Sequence, residues 1–513
     1  MDTQVGESMK VAVIDVGYNS LKMVKYKIEQ DGFVKAYGQL GVMAKLGEGL
    51  EQTGYLGAEP IRRTIDAIRL CRESASLESI NNVLLVGTSP IREAANTEEF
   101  LRRVQDETGL KMRVLGVNEE ALYGFLGGAR SVNASACLCF DLGGGSLEMT
   151  YAEKSRVRRI VSLPLGALKL TSRYADRDGG YSRKNRVRMT KLISQLLPSR
   201  RELGLAENAV LLGTGGTLRA MARFHQSVID YPINKIHNYT IEFDSVQQIS
   251  RDFLRLRRDE LAKIAAIGDG RAETVAAGAL VVRLLMKRLG FKRLIVSTHG
   301  VRDGILTEFL VGGPRSSYNM VPKEEIESML APPTLSARFG NIVELANRLT
   351  GYGILTTREE GILLRAFQRG RTRECAEVDA DAAFGVLMSE DHPMSHEDQL
   401  FMAISVVRSR RPKIASWLLK KYRSILLRED VKSVRKMGAC LRLIEVLDRS
   451  SAQFKVTNSR GIRIDVVEGD GQFPIGLARA SALALSAAIK KPVTISVGTR
   501  FKTGQAELAR VRI

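Results

Sequence analysis

For its first 310 residues the chain switches between two hydrophobic rhythms. Short apolar runs bounded by turn residues alternate with longer stretches in which apolar positions return every three or four residues. The short runs predict strands at Val11–Asp15, Val83–Gly87, Arg113–Val117, Cys137–Asp141, Leu147–Tyr151, Val210–Gly213 and Leu294–Ser297. The longer stretches predict helices at Ala58–Glu73, Thr97–Thr108, Asn118–Ala129, Leu218–Phe224 and Thr274–Leu289. Such alternation argues an α/β architecture. Around Gly312-Gly-Pro314 the texture changes. Helical spacing dominates from about 322 to 450, at Glu359–Arg369, His396–Arg408, Ile414–Leu427 and Val431–Leu447. Strand-like Gln453–Thr457 and Ile462–Val467, helix-like Gly476–Ile489 and strand-like Val493–Val497 then describe a small α+β tail.

One internal repeat stands out. VIDVGYNSLKMV, from Val13, aligns with CFDLGGGSLEMT, from Cys139, at a constant offset of 126 residues. Asp15 matches Asp141, Gly17 matches Gly143, and Ser20, Leu21 and Met23 match Ser146, Leu147 and Met149. Each copy reads as apolar strand, Asp-x-Gly turn and second strand, a hairpin used once in each of two similar lobes.

The hairpin suggests phosphate chemistry, its alternative being two ordinary hairpins with polar turns. Glycines in a tight turn let an anion approach backbone N–H groups closely, and Ser20 and Ser146 add hydroxyls. Asp15 and Asp141, at strand ends, are placed to hold a hydrated divalent cation. Glu148 lies two residues after Ser146 and so points to the same side of its strand. A third glycine loop, Gly213-Thr-Gly-Gly-Thr217, follows a strand and opens a helix, the usual setting for an anion at a helix N-terminus. No Walker A and no HExxH sequence is present.

Composition narrows the partners. At 513 residues the chain is too long for one core, so three or four domains are expected. The net charge is +20, with 45 basic and 35 acidic residues in 1–310 (+10) and 32 and 22 in 311–513 (+10). A basic excess concentrates polyanions near the surface, whether nucleic acid, acidic membrane or polyphosphate; its bland counterpart is charge that keeps the protein soluble. No apolar run reaches transmembrane length, and MDTQVGESMK has neither a basic n-region nor an apolar h-region, so no secretory signal is expected. Five scattered cysteines without CxxC fit a reduced, cytoplasmic setting.

The motif AVIDVGYNSLKMV resembles the opening phosphate motif of the exopolyphosphatase/guanosine-pentaphosphate phosphatase (Ppx/GppA) family, within the actin/Hsp70/sugar-kinase superfamily. FDLGGGSLEM is similar to its second phosphate motif; GTSPIREAAN, GVNEEALYGF, GTGGTLRAMA and STHGVRDGIL resemble four more, giving six ordered motifs across residues 11–306. The resemblance implies two RNase H-like (actin-like ATPase) lobes with an interlobe cleft, at 1–128 and 129–312. An all-α HD-like domain at 313–450 and a small α+β C-terminal domain at 451–513 would follow. By resemblance Glu120, the second glutamate of NEEA, is the catalytic base and Arg92 a phosphate ligand. Asp141, Glu148 and Asp15 are associated with Mg²⁺ or another divalent cation, with a monovalent cation such as K⁺ as a further cofactor. Gly143, Gly144, Gly145 and Ser146 form the phosphate cradle, Gly17, Asn19 and Ser20 its counterpart, and Gly216 and Arg302 contribute from the later motifs. The implied reaction is release of orthophosphate from polyphosphate ends. Its alternatives are hydrolysis of guanosine pentaphosphate and a non-catalytic polyphosphate or nucleotide sensor; a sugar-kinase-like activity is disfavoured by Glu120. A homodimer is implied, with no specific nucleic acid and no membrane partner.

Departures from the family pattern are Tyr18 in place of a small residue, Leu122 where an arginine is usual after NEEA, and His299 and Asp303 in the last motif. The helical region resembles HD-type phosphohydrolases through LMSEDHPMSHEDQ, from Leu387, and RLIEVLDRS, but lacks a visible His-Asp metal pair; His392 and His396, flanking a proline, are expected on a surface loop. Arg408–Arg428 holds eight basic residues and no acid. There Trp417, Leu418 and Leu419 are expected to face a core, and the charges either water or a polyphosphate chain.

Overall fold

The computed structural model describes residues 9–28, 34–129, 132, 134–154, 156–312, 339–449, 453–458, 461–467 and 473–498. The chain forms two compact units, 1–332 and 333–513. In the first unit the sequence repeat becomes two sheets of matching topology. β1 (Met9–Val16), β2 (Leu21–Ile28), β3 (Val34–Val42), β4 (Asn82–Gly87) and β5 (Met112–Val114) are ordered β3-β2-β1-β4-β5. β6 (Ala136–Leu142), β7 (Leu147–Glu153), β8 (Arg156–Leu163), β9 (Val210–Thr214), β10 (Tyr239–Glu242) and β11 (Arg293–Val296) are ordered β8-β7-β6-β9-β11-β10. In each sheet an antiparallel meander is followed by parallel strands reached through helical crossovers, with β1 beside β4 and β6 beside β9; the second sheet adds β10 at its edge, antiparallel to β11.

The repeat also sets which residues face which core. Ala12, Ile14 and Val16 pack with Ile65, Ile68 and Phe100 on the outer side of the first sheet. Leu138, Phe140 and Leu142 pack with Leu218, Val246 and Leu280 on the outer side of the second. The alternate residues Val11, Val13, Cys137 and Cys139 turn the other way, as strand period dictates, into a shared core with Tyr123, Leu126, Ile305 and Phe309. Those last four belong to helices Val117–Ala129 and Val301–Gly312, which lie between the sheets. The helices approach closely because glycines face them: a Cβ on Gly127 would stand 2.0 Å from the Gly300 carbonyl oxygen, and one on Gly304 2.2 Å from that of Tyr123.

Two expected elements change at their ends. The strand expected over Arg113–Val117 ends at Val114, and Val117 opens a helix instead, because the Glu119 carboxylate accepts the Gly116 N–H at 2.7 Å and caps that helix. The helix expected over Ile414–Leu427 runs Pro412–Lys421.

Among the described residues the second unit has helices Gly340–Gly351, Thr357–Gly370, Arg373–Ala376, Ala380–Ser389, His396–Arg410, Pro412–Lys421 and Arg428–Arg449. β12 (Gln453–Asn458), β13 (Ile462–Val467) and β14 (Val493–Gly498) follow, with β13 and β14 parallel and joined through helix Ile475–Ile489. The expected boundary near 313 falls beside residues outside the description. Trp417 is 57 % exposed, unlike buried Leu418, since the helix turns it away from Ala415 and Leu418. His392 and His396 are buried rather than on a surface loop: His392 lies 3.3 Å from Glu390, whose carboxylate also pairs with Arg369, and His396 starts a helix capped by Ser395. Among the described residues no helix is long and apolar enough to cross a membrane.

The helix crossing predicts that Gly127→Ala lowers stability by about 1–3 kcal/mol through overpacking against backbone. A urea titration followed by circular dichroism checks this; an unchanged midpoint would show that the helices can separate at no cost.

Candidate active site

The two hairpin turns are built alike. The Gly17 N–H donates to the Ser20 carbonyl at 3.2 Å, and the Gly143 N–H to the Ser146 carbonyl at 3.1 Å. These two N–H groups therefore close their own turns. The remaining turn carbonyls are tied down from outside. Gly145, Gly143 and Gly144 accept from the N–H groups of Gly166, Ala167 and Leu168 at 3.3, 3.0 and 2.9 Å, at the start of helix Ala167–Tyr174. In the other lobe Asn19 and Tyr18 accept from Lys45 and Gly47, both at 3.0 Å. With carbonyls held on one side, the N–H groups of 144–146 and 18–20 are left for the other side. Close approach demands glycine at both supports: a Cβ on Gly166 would lie 2.2 Å from the Gly145 carbonyl carbon, and one on Gly47 2.2 Å from the Tyr18 ring.

Both turns face one cavity of about 130 Å³. It is lined by Asp15, Gly17, Asn19, Ser20, Glu120, Asp141, Gly143, Gly144, Gly145, Ser146, Glu148, Gly216 and Arg302, so the structure brings together every residue singled out from the sequence except Arg92. Arg92 adjoins the wall, where its guanidinium donates to the Leu115 carbonyl at 2.7 Å and to the lining Glu120 carboxylate at 3.0 Å. The third loop enters through Gly215, whose φ of +110° is a glycine conformation, and Gly216, whose missing Cβ leaves room for the Arg271 guanidinium, 2.3 Å from where that atom would be.

Lys22, Arg219, Arg271 and His299 also line the cavity and were not singled out as site residues from the sequence. Lys22 was findable by register, because it lies directly across the ladder from Asp15 as Glu148 lies across from Asp141. Arg219 sits within the GTGGTLRAMA motif. Arg271, in the short helix Asp269–Ala272, has no local pattern to mark it.

Electrostatically the cavity is crowded with both signs. Burial, and then the Glu148 charge, push the Glu120 carboxyl above its ordinary range, while Arg92 pulls it back. Burial raises Glu148 as well, with Asp141 adding to the rise and hydrogen bonds from Ser146 and Ser162 opposing it. Asp15 is raised by burial against the pull of Arg302, 3.9 Å away, and Lys22. On the cationic side burial lowers Lys22 well below its usual value, helped by Arg219, Arg302 and Arg271, and brings Arg219 down to about 10. Asn19 Oδ1 and Arg302 Nε are buried with no hydrogen-bond partner in the protein. Unfilled polar atoms of both kinds beside four carboxylates and four cations suit an anion with its own cation. Asp15, Asp141 and Glu148 offer oxygen donors only, the type a hard divalent cation takes.

The two departures in the last motif act together. His299 Nδ1 lies 2.8 Å from Asp303 Oδ1, and Asp303 also accepts from the Gly300 N–H at 2.8 Å and the Tyr26 hydroxyl at 3.0 Å. Burial by itself would raise Asp303, but His299, Arg302 and the Gly300 N–H bring it down to about 2. This fixes an imidazole in the cavity wall.

The chain is similar to exopolyphosphatase 2 of Mycobacterium tuberculosis, 28% identical over 313 residues that cover 58% of this chain and 97% of the relative. Among solved structures, the Ppx/GppA family member of Aquifex aeolicus is 27% identical with a TM-score of 0.51, covering 60% of this chain and 99% of that one. An exopolyphosphatase from Cytophaga hutchinsonii, 22% identical with a TM-score of 0.56 over 59% of this chain and 98% of its own, shares the fold. The family model described as the Ppx/GppA phosphatase family matches residues 27–311, more than half of the sequence, including the second turn and the third glycine loop; the chain belongs to the Ppx/GppA phosphatase family.

Proposed function

We propose that this protein is an exopolyphosphatase that hydrolyses the terminal phosphoanhydride bond of inorganic polyphosphate and releases orthophosphate. The observation that carries this reading is the pair of matched turns, with carbonyls tied down from outside, lining one cavity that also holds Glu120 and four cations. The mycobacterial relative bears the same activity in its name.

The terminal phosphoryl group is received by the N–H groups and serine hydroxyls of the two turns. Lys22, Arg219, Arg271 and Arg302 neutralise its oxygens and those of the next phosphate. Glu120, ionised, orients a water and accepts its proton as the water oxygen bonds to phosphorus. The bridging P–O bond breaks, and its electron pair leaves on the shortened chain. Arg92 is a positioning residue for Glu120 in this scheme. Mg²⁺ held by Asp141, Glu148 and Asp15 would supply further charge neutralisation at the phosphoryl oxygens; K⁺ is an accessory ion of the same reading. The five free, buried cysteines support a cytoplasmic setting, and the implied homodimer is kept as part of the proposal. The helical region, expected over 313–450, is read as an HD-like scaffold without its metal ligands; within it His392 is buried 3.3 Å from Glu390. The basic stretch 408–428 is read as a guide for the polymer.

Phosphate release from long-chain polyphosphate with Mg²⁺, compared with guanosine pentaphosphate, tests the assignment. Faster release from the polymer is expected; preference for the nucleotide makes the protein an alarmone phosphatase, and turnover of neither removes the enzymatic reading. Glu120→Gln is expected to lower kcat about 10²–10⁴-fold while polyphosphate still binds. EDTA should stop release and Mg²⁺ restore it.

A pH profile reports on Arg92. The base works ionised, so activity falls as pH drops through the Glu120 pKa. Because Arg92 lowers that pKa, Arg92→Ala should move the acid limb of kcat/KM to higher pH. An unmoved limb, with activity merely reduced, would show that Arg92 does not act through Glu120.

A further inference from the structure

A second concavity lies on the second lobe, away from the residues that line the cleft. It has a volume of about 520 Å³. Its walls come from helix Arg183–Leu196, from the end of helix Phe243–Phe253 with the residues that follow it, and from helix Val275–Leu289. Six cations converge on it: Arg183, Arg186 and Lys191 from the first wall, Arg251 and Arg255 from the second, and Arg283 from the third. No carboxylate lines it.

Three observations separate this from an ordinary solvated face. First, charges that only keep a protein soluble spread apart, whereas these surround one hollow. Arg255 is 3.8 Å from Asp252, but among the described residues no ion pair is formed by the other five. Second, Arg283 is half-buried in the middle of helix Val275–Leu289, beside fully buried Val282 and Leu285. Burial and the nearby Arg251 both disfavour its charge, so the apo protein keeps a desolvated arginine beside another cation. Third, helix Arg183–Leu196 carries Arg183, Lys184 and Arg186 near its N-terminus and no acid anywhere. Cations there oppose the helix dipole. All three costs are relieved by one kind of ligand, a multiply charged anion.

The position identifies which anion. Thr274, the N-cap of helix Val275–Leu289, lines the catalytic cleft, and Arg283 lies nine residues further along the same helix. At ~1.5 Å rise per residue the two are roughly 14 Å apart along its axis. We infer that this pocket binds a stretch of the phosphoryl chain of polyphosphate remote from the end held in the cleft. The inference rests on the exopolyphosphatase reading for the identity of the chain. It assigns long substrates a second point of attachment on the catalytic lobes themselves. Tripolyphosphate is too short to reach from one site to the other.

The test is steady-state phosphate release by the full chain and by Arg186→Glu/Arg251→Glu, on long-chain polyphosphate and on tripolyphosphate. For the long chain, KM is expected to rise about tenfold in the variant with kcat unchanged. With tripolyphosphate both constants should stay as they are, which also shows that the variant is folded. In 1 M salt, where the Debye length is about 3 Å, the long-chain difference should collapse. An unchanged long-chain KM overturns the proposal, and so does an equal rise for both substrates, which would be a general field effect. If the variant misfolds, Arg186→Ala/Arg251→Ala carries the same comparison. If the wild-type protein hydrolyses neither substrate, the proposed function falls and the pocket is judged by binding alone. Fluorescence anisotropy of end-labelled polyphosphate on Glu120→Gln protein, with and without the charge reversal, then decides: a loss of affinity supports the pocket, and equal affinity overturns it.

Discussion

A four-residue turn between strands has carbonyls and N–H groups on opposite sides, and whichever set is tied down decides what the other can meet. In this protein the carbonyls are tied down twice over. The start of helix Ala167–Tyr174 takes the carbonyls of 143–145, and the segment 45–47 takes those of 18 and 19. Neither support is part of the repeated hairpin. Each lobe uses a different element for it. Gly166 and Gly47 are required for that docking because a side chain there would collide with the turn it supports. The glycines that shape the turns thus include two outside the repeated hairpins.

The cavity that results is costly to keep empty. Buried carboxylates raise one another, and buried cations lower one another, because each is desolvated among like charges. Arg302 and Asn19 retain buried polar atoms with nothing to bond. The rigid sheets and the close-packed helix pair between them are what hold such groups in place. The site is pre-organised in the sense that its charges are assembled by the fold and not by the ligand.

The parts of this arrangement that were legible in the sequence share a physical cause. β1, β4, β6 and β9 are buried on both faces, so they read as continuous apolar runs. β2, carrying LKMVKYKI, is legible only as the second strand of the repeated hairpin, because lysines interleave with its buried residues, and β8, carrying RVRRIVSL, has too many exposed basic residues to read as a strand. Val117 was assigned to a strand because β-branched residues favour strands, yet a capping carboxylate two positions on outweighed that preference. Trp417 was expected inside on hydrophobicity, but its helix has room for only one stripe. At the site the acidic and glycine residues were found because the repeat marks them. Lys22, Arg219 and Arg271 were passed over because single basic residues in a chain of net charge +20 carry no signal without three-dimensional convergence. The position of Arg92 beside Glu120 is likewise a fact of packing that no motif spells out.

The repeat is imperfect at one place where imperfection counts. Residues 22 and 148 occupy equivalent positions, each directly across its ladder from the repeated aspartate. One is lysine and the other glutamate. Two identical hairpins facing each other would make a clamp with twofold pseudosymmetry, able to hold a phosphate group in either of two opposite senses. Exchanging one carboxylate for an amine breaks that degeneracy: one jaw presents an acid with a base, the other two acids. The cleft acquires a head and a tail, so a linear substrate entering it meets a vectorial field and not merely a binding site.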